Sequence, residues 1–399
     1  SRRICLESIK KYQRVLHFNN PMNNSIKLYL KKRGVKGPWK ISCPITERFK
    51  NIVIIPAYAE LQHIDKTLDS LVECEVDTFD MIMVVVVVNN EVGAPSDVID
   101  NNKETLSRLS ERTDPFCLTL IDASSDGMEI PKKYAGVGMA RKIGMDLGLK
   151  FAYPQSLLFC LDADSLVDPT YFREIESHFN TTDSVASVVG FFHIKNQNPE
   201  LEIAIRQYEK FLRSTAKKIA EAGSPFGYVS MGSTIICRAH AYVSIGGMPR
   251  RKATEDFYFL QEFAKFSKVN QINKDLVYPS SRESARVYLG TGFRMSQVIR
   301  GENLSNLAYP KEAFEILKKW LSIAMVGYKM SLNQILDKVR RLSPVLYDYL
   351  TEEGIEDIWD PLRESSPTEI HFQKQFHRWF NALRTHRLLN RYSSISSIL

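Results

Sequence analysis

The sequence has 399 residues, a length that suits about two or three domains and exceeds what one small core needs. Hydrophobic residues make up 44% of the chain and charged residues 25%, as in ordinary soluble globular proteins. The net charge of +7 is only mildly basic. It lacks the dense Lys/Arg runs of a nucleic-acid-binding tail, so we expect no nucleic-acid partner.

Cysteine spacing and apolar runs indicate the compartment. The six cysteines form neither a CxxC pair nor a zinc-like spacing, which predicts free, mostly buried thiols in a reducing environment. The longest apolar run, residues 81–88, is far shorter than the roughly 20 apolar residues that span a bilayer. We therefore expect a cytoplasmic protein, and a peripheral position at the inner face of the membrane stays open.

Strand and helix patterns alternate after a basic, mixed segment over residues 1–45. Residues 81–88 are a continuous β-branched run, which is typical of a strand buried on both faces of a parallel sheet. Apolar residues at helical spacing lie between the strand patterns. Strands are predicted within 51–60, where Pro56 ends the strand, and over 81–88, 116–123 and 157–164. Helices are predicted over 64–72, 102–112 and 136–152.

This alternation predicts an α/β fold with a mixed, mainly parallel sheet flanked by helices. After residue 295 the pattern is helical, which predicts a C-terminal helical region. Within it, residues 365–392 begin with a capping box from Ser366 to Glu369 and carry an aromatic stripe that suits core packing or a dimer interface. The predicted organisation is an N-terminal extension over 1–45, an α/β domain over 46–295 and a helical domain over 296–399.

Two pairs of acids are the candidates for chemistry. Asp162 and Asp164 follow an apolar strand, and ligands of open α/β sheets bind at the carboxyl ends of the strands. Two carboxylates at this spacing can both reach one hard divalent cation, Mg²⁺ or Mn²⁺, whereas the alternative is a turn or a helix cap. Glu255 and Asp256 begin a helical pattern, where acids either favour the helix dipole or supply a positioned base.

Four segments occur in order at suitable separations: IVIIPAYAE, LDADS, MGSTIICRAHAYVSIGGM and ATEDFYFL. Together they resemble the family 2 glycosyltransferases of the GT-A fold, a Rossmann-like architecture, over residues 51–295, about 60% of the chain. The resemblance implies metal-dependent transfer of a sugar from a UDP- or GDP-sugar to a hydroxyl, in glycan or glycoconjugate synthesis, with Mn²⁺ or Mg²⁺ as cofactor. The match of Asp256 favours an inverting reaction, with retention left open, and the absence of a Q-x-x-R-W signature indicates a non-processive one.

The resemblance assigns donor-side roles to five residues. Asp162 and Asp164 match the metal-binding D-x-D, which also holds the donor through its metal-bound diphosphate. Pro56, Tyr58 and Glu60 match the loop after the first strand, which holds the base and the ribose of the donor.

The acceptor side is implied in the same way. Asp256 matches the catalytic base of inverting members, and Glu255 matches a residue that contacts the acceptor or positions the helix. Gly232 and Ser233 match the acceptor segment. His193, late on an apolar strand, is either a hydrogen-bonded structural residue or a residue of the acceptor site.

Two features depart from the family pattern or extend it. Family members carry an Asp pair after the second strand to hold the nucleobase, where this chain has Asn89 and Asn90. Amides can also pair with a base, so both stay donor-binding candidates. Arg282 and Arg286 are candidates for a diphosphate clamp, with a solvated loop as the alternative, and Arg141 is a further phosphate-binding candidate.

Two other functions remain as alternatives. A sugar-phosphate nucleotidyltransferase requires a Gly-rich basic loop after the first strand, and PAYAELQHIDK contains no glycine. A degenerate, non-catalytic scaffold that binds a partner through its helical tail is favoured by the two asparagines and opposed by the four acids. For an enzyme, the acceptor is a saccharide, a lipid-linked sugar or a small molecule. A peripheral membrane contact and a homodimer through the C-terminal helices both stay open.

Overall fold

The computed structural model describes residues 21–42, 45–282, 291–300 and 307–393. These residues form two compact units, each assembled from separate stretches of the chain. The first unit comprises the described residues of 1–65, 76–163 and 236–252, and the second those of 66–75, 164–235 and 253–399.

Strands and helices alternate through the first half of the described chain. The elements there are α1 (Pro21–Lys32), β1 (Phe49–Ala57), α2 (Ile64–Val72), β2 (Ile82–Asn89), α3 (Ser96–Ser110), β3 (Cys117–Ala123), α4 (Val137–Gly148), β4 (Ala152–Cys160), β5 (Leu166–Val167), α5 (Tyr171–Thr181), β6 (Ala186–Phe191), α6 (Pro199–Glu221), β7 (Ile235–Arg238) and α7 (Ala239–Ser244).

Helices dominate the second half. The elements there are α8 (Glu255–Phe266), β8 (Val269–Tyr278), α9 (Thr291–Ile299), α10 (Lys311–Met325), α11 (Leu332–Leu342), α12 (Pro344–Glu352), α13 (Ile355–Glu364), α14 (Glu369–Trp379) and α15 (Ala382–Arg391).

The strands of the first unit follow the order β3-β2-β1-β4-β7. The neighbours among β3, β2, β1 and β4 are parallel, and β7 is antiparallel to β4. Every residue of β2 is buried, as expected for a β-branched strand covered on both faces. In the second unit β8 pairs with β6 in parallel and with β5 antiparallel. The predicted fold class, a mixed and mainly parallel arrangement of strands flanked by helices with a C-terminal helical region, is confirmed.

Two glycines let α4 lie close to its neighbours. A Cβ atom at Gly144 would lie 2.6 Å from Cγ2 of Ile54, so only glycine lets the helix approach β1 this closely. Gly136, just before the helix, has φ 152°, and a Cβ there would lie 2.6 Å from Cα of Lys252. Both positions therefore require glycine, Gly136 at the start of α4 and Gly144 where the helix packs on β1.

A buried charge network attaches the N-terminal segment to the first unit. Asp146 on α4 accepts hydrogen bonds from the hydroxyls of Tyr29 (2.9 Å) and Tyr242 (2.7 Å) and from the backbone N–H of Val35 (2.8 Å). Lys142 forms a 2.8 Å ion pair with Asp146 and donates to Tyr29. Part of the predicted N-terminal extension thus packs in the core of this unit.

The C-terminal helices share one core with α6 of the second unit. The predicted aromatic stripe contributes Phe372, Phe376 and Phe380, which pack with Trp320 and with Ile219 of α6. This burial identifies the stripe as core packing. The domain boundaries proposed at residues 45 and 295 remain predictions.

The capping box predicted at Ser366 and Glu369 is wrong. Helix α14 begins at Glu369, and the hydroxyl of Thr368 accepts the hydrogen bond from the backbone N–H of His371. The Ser366 hydroxyl instead donates to the carbonyl of Leu362 at the end of α13. A serine between two helices can form a hydrogen bond with the end of either helix, and here Ser366 bonds to the end of α13.

The cytoplasmic location was predicted from the spacing of the cysteines and from the shortness of the apolar runs. The four cysteines in the described residues are free, and Cys74, Cys160 and Cys237 are buried. Cys5 and Cys43 lie outside the described residues. Among the described helices, none combines the length and the apolar composition that crossing a bilayer requires. The cytoplasmic location remains a prediction.

Candidate functional site

Asp162 and Asp164 follow directly after β4, where the strand has just left its pairing with β1. The backbone N–H of Leu161 still donates to the carbonyl of Ile54. The side chain of Asp162 is 36% exposed and that of Asp164 is 20% exposed. The role of turn cap belongs to Asp168 instead, whose carboxylate accepts from the backbone N–H of Thr170. Asp162 and Asp164 instead each pair with an arginine.

Arg141 pairs with Asp162 within the first unit. Its guanidinium donates to Oδ1 of Asp162, and its side chain is only 3% exposed. The burial follows from the position of Arg141 on α4, a helix whose residues from Gly138 to Gly148 are all buried. A buried arginine requires such a carboxylate partner, so this pair is a fixed part of the fold.

Arg282 pairs with Asp164 within the second unit. Its Nε donates to Oδ2 of Asp164 at 2.8 Å, and the arginine side chain is 31% exposed. This pair is more accessible than that of Arg141. Arg286, the second candidate for the clamp, lies outside the described residues.

The loop after β1 is held in a strained conformation by α3. Pro56 is part of β1, beside Val87 of β2, and Ala59 has φ 53°, which is uncommon for a residue other than glycine. The amide oxygen of Asn102 accepts from the backbone N–H of Ala59 at 2.9 Å. Glu60 is buried, whereas Tyr58 is half-buried.

Asn89 and Asn90, at the end of β2, form hydrogen bonds that stabilise neighbouring parts of the fold. The amide of Asn89 donates to the carbonyls of Ala57 and Val87, both at 3.0 Å. The side-chain oxygen of Asn90 accepts from the amide of Asn102 at 2.9 Å. Asn102 therefore connects the loops that follow β1 and β2. Sequence reasoning missed it, although its place on the apolar face of α3, beside Val98, was a signal.

His193 follows β6 and belongs to a buried polar cluster. Its Nδ1 lies 2.8 Å from Oε1 of Glu209, which also accepts from the backbone N–H of His193. Arg206 donates to Glu209 at 2.9 Å and to the carbonyl of His193 at 2.8 Å. Burial alone would raise the pKa of Glu209, but the hydrogen bonds from His193 and Arg206 outweigh it and lower that pKa. An ionised Glu209 accepts, so Nδ1 of His193 carries the proton.

Helix α8 begins with the second acid pair. Thr254, just before it, has the left-handed φ of 62°, a strained value for threonine. Glu255 is buried, and the carboxylate of Asp256 accepts from the backbone N–H of Phe257 at 2.7 Å. Asp256 is thus placed in the first turn of α8, where a carboxylate favours the helix dipole.

Asp256 lies near two residues that the sequence did not indicate. Burial raises the pKa of Tyr208 to about 12, the charge of Arg294 lowers it, and the charge of Asp256 raises it. Tyr208 lies on α6 and Arg294 on α9. The charges of Asp256 and Arg294 therefore act in opposite directions on the phenol of Tyr208.

Gly232 and Ser233 form a short 3₁₀ turn that leads into β7. Both residues are buried, and the hydroxyl of Ser233 has no hydrogen-bond partner among the described residues. The same part of the chain contains no cluster of three or more His, Cys, Asp and Glu side chains able to hold a metal. Each of the two arginine–aspartate pairs therefore consists of two predicted site residues. The partner of His193, Glu209, was not predicted from the sequence.

Comparisons with known proteins identify structures with a similar arrangement. No model of a known protein family matches the sequence, and no characterised relative was found. Residues 1–349 of S. aureus TarS in complex with UDP-GlcNAc match at 15% identity over 83% of this chain and 90% of that chain, with a TM-score of 0.45. The mannosyltransferase PcManGT from Pyrobaculum calidifontis, in complex with GDP-Man and Mn²⁺, matches at 16% identity over 90% and 95%, with a TM-score of 0.43. Identities and TM-scores this low support no functional assignment, so the function has to be inferred from the residues of this chain.

Proposed function

We propose that the chain is an inverting, non-processive glycosyltransferase that moves a sugar from a UDP- or GDP-sugar to a hydroxyl, with Mn²⁺ or Mg²⁺. The observation that carries this proposal is the pair Asp162 and Asp164. These carboxylates follow β4 two residues apart, remain partly exposed, and each has an arginine partner.

The residues present fit a divalent cation. Asp162 and Asp164 offer carboxylate oxygens, the ligands that Mg²⁺ and Mn²⁺ prefer, and neither side chain is sealed from solvent. When bound, the cation would stabilise the negative charge of the leaving diphosphate. Arg141 fixes the orientation of Asp162 from its buried position. Arg282 can turn from Asp164 to the diphosphate, because its guanidinium is accessible and matches phosphate oxygens.

Asp256 supplies the base in this proposal. It takes the proton of the acceptor hydroxyl while that oxygen bonds to the anomeric carbon, and the diphosphate leaves with the electrons of the broken bond. Its support is its place at the start of α8, where its charge acts on the phenol of Tyr208 together with that of Arg294. Glu255, Gly232, Ser233 and His193 remain candidates for contact with the acceptor. Pro56, Tyr58 and Glu60 remain candidates for the base and the ribose.

Nucleotide binding tests the donor site. We would titrate UDP and GDP by calorimetry, with and without Mn²⁺, into the wild type and into Asp164→Asn. We expect binding of one nucleotide that requires Mn²⁺ and that weakens about tenfold or more in the variant, because a metal ligand is lost. The matched control is Asp168→Asn, the same change at the neighbouring turn cap, which should bind like the wild type.

A non-catalytic scaffold is the second candidate function. The observation that favours it is the use of Asn89 and Asn90 in the fold, because their amides hold the protein's own loops. The same titration separates the two functions. If the folded wild type binds neither nucleotide with Mn²⁺, the transferase proposal fails and the scaffold is favoured.

A further inference from the structure

Three segments of the first unit carry many cations and no acidic residue. They are residues 24–42, 130–136 and 245–252, and together they contain eleven lysines and arginines, all of them exposed. We call these side chains the basic surface. They are Lys27, Lys31, Lys32, Arg33, Lys36, Lys40, Lys132, Lys133, Arg250, Arg251 and Lys252.

Contacts between the segments show that the basic surface is continuous. The guanidinium of Arg33 lies against Gly246, where a Cβ atom would be 2.7 Å from Nη1. The ring of Tyr134 lies under two cations, with its centroid 5.4 Å from Nζ of Lys133 and 5.8 Å from Cζ of Arg250. Each segment therefore touches another within the same unit.

The basic surface is also held rigidly. On α1 the side chains of Ile26 and Tyr29 are buried, and Tyr29 is bound to Asp146. Further along the segment, Trp39 is buried and its indole N–H donates to the carbonyl of Met128 at 2.7 Å. The cations thus stand on an anchored helix and its following loop, so binding a partner would cost little ordering of the backbone.

The charge of the chain is concentrated on this surface. The chain has 53 basic and 46 acidic residues. Without the eleven cations, 42 basic residues remain against the same 46 acids, so the rest of the chain is net acidic. The eleven cations of the basic surface have no acidic residue within their three segments, so these segments carry a local charge of +11, which suits the binding of an extended anion.

We propose that the basic surface binds the anionic headgroups of a phospholipid bilayer. Eight of its eleven cations are lysines, whose compact charges suit a fluid layer of headgroups that offers no fixed pattern for guanidinium forks. Among the lysines of α1 lies Leu28, an apolar side chain that is 50% exposed and able to enter the interface of a bilayer. This inference is independent of the donor site and stands or falls separately from it.

Vesicle sedimentation tests the inference. We would use the full chain with vesicles of phosphatidylcholine alone and of phosphatidylcholine with about 30% phosphatidylglycerol, at about 0.05 M and about 0.3 M salt. We expect binding only to the anionic vesicles and weaker binding at the higher salt concentration. In the variant Lys27→Glu/Lys31→Glu/Lys32→Glu, the partition coefficient should fall about tenfold or more.

A matched control separates the surface from the net charge. The variant Lys311→Glu/Lys318→Glu/Lys319→Glu makes the same change in charge at exposed lysines of α10. It should bind vesicles nearly as the wild type does, and circular dichroism should show that both variants are folded. An equal loss in the two variants, or no binding of the wild type to anionic vesicles, would overturn the inference. Tighter binding to single-stranded RNA than to anionic vesicles at the same salt would instead identify a nucleic-acid surface.

Discussion

Arg141 and Arg282 hold their aspartates in different surroundings, and this difference separates a structural pair from an exchangeable one. The Arg141 side chain is 3% exposed, so loss of its partner would leave a buried charge uncompensated. The Arg282 side chain is 31% exposed, and ion pairs of that accessibility contribute only about 0–1 kcal/mol. In the proposed donor site, Arg282 can therefore leave Asp164 at low cost.

Substitution of the two arginines should separate stability from binding. For Arg282→Gln we expect an unfolding free energy within about 1 kcal/mol of the wild type, measured in urea. The affinity for the nucleotide in calorimetry should fall about tenfold, because a phosphate contact is lost. For Arg141→Gln we expect a loss of about 3 kcal/mol of stability. Equal stability of the two variants would contradict this distinction.

Glu209 makes part of the stability depend on pH. Its pKa is lowered in the folded state, because hydrogen bonds from His193 and Arg206 outweigh its burial. A lowered folded pKa adds stability above the unfolded pKa, and that stability is lost as pH falls through the folded value. Glu209→Gln should therefore be less stable than the wild type at pH 7. The difference, measured by urea unfolding, should shrink below about pH 4.5. A difference that stays constant from pH 7 to pH 3 would argue against this role.

Helix α1 is bound through Tyr29 to a buried side chain of another element, Asp146 of α4. Its Tyr29, together with Val35, Tyr242 and Lys142, converges on Asp146 of α4. All these partners are donors, so the carboxylate is fully used and compensates the buried ammonium of Lys142. The N-terminal segment, and the lysines that it presents, are positioned by this network.

Removal of the central carboxylate should release α1. We expect Asp146→Ala to cost about 3–5 kcal/mol of unfolding free energy, because the buried Lys142 loses its counter-ion. Trypsin should also cleave sooner after Lys31 and Lys32. Tyr242→Phe, which removes one hydrogen bond, serves as the control and should cost about 1 kcal/mol. Unchanged proteolysis of Asp146→Ala would show that α1 is held by its apolar contacts alone.

The C-terminal helices fold as part of the second unit and share its hydrophobic core. Their core includes Ile219 of α6, and the backbone N–H of Leu383 donates to Gln261 of α8 at 3.2 Å. Two histidines of these helices are half-buried, with their Nδ1 atoms shielded from solvent. Burial lowers the pKa of His377 and that of His386 to about 4 each.

These histidines should make the protein sensitive to mild acid. The folded pKa values of these histidines lie below the unfolded value of 6.5, so the unfolded state binds more protons between about pH 6.5 and 4. The stability of the protein therefore decreases as the pH is lowered through this range. Each histidine contributes a slope of at most about 1.4 kcal/mol per pH unit. His386→Gln should reduce the slope in urea unfolding by one such contribution. An unchanged slope in His386→Gln would refute this assignment.

The sequence by itself determined the order and type of the elements that carry the site. β-branched runs and helical spacing are local properties, so β2, α4 and the strand before Asp162 could be predicted from residues near them in the chain. The same locality placed acids at the end of β4 and at the start of α8. Where two helix ends compete for one serine, as at Ser366, local reasoning chose the wrong cap.

Only the tertiary structure decided which side chains meet. Arg282 reaches Asp164 from 118 residues away, Tyr29 reaches Asp146 from 117 residues away, and Asn102 holds the loop at Ala59. Such pairings depend on the path of the backbone between the partners, and no pattern within a short window contains it. The basic surface has the same origin: its three segments are far apart in the sequence and become one charged face only because the first unit folds them together.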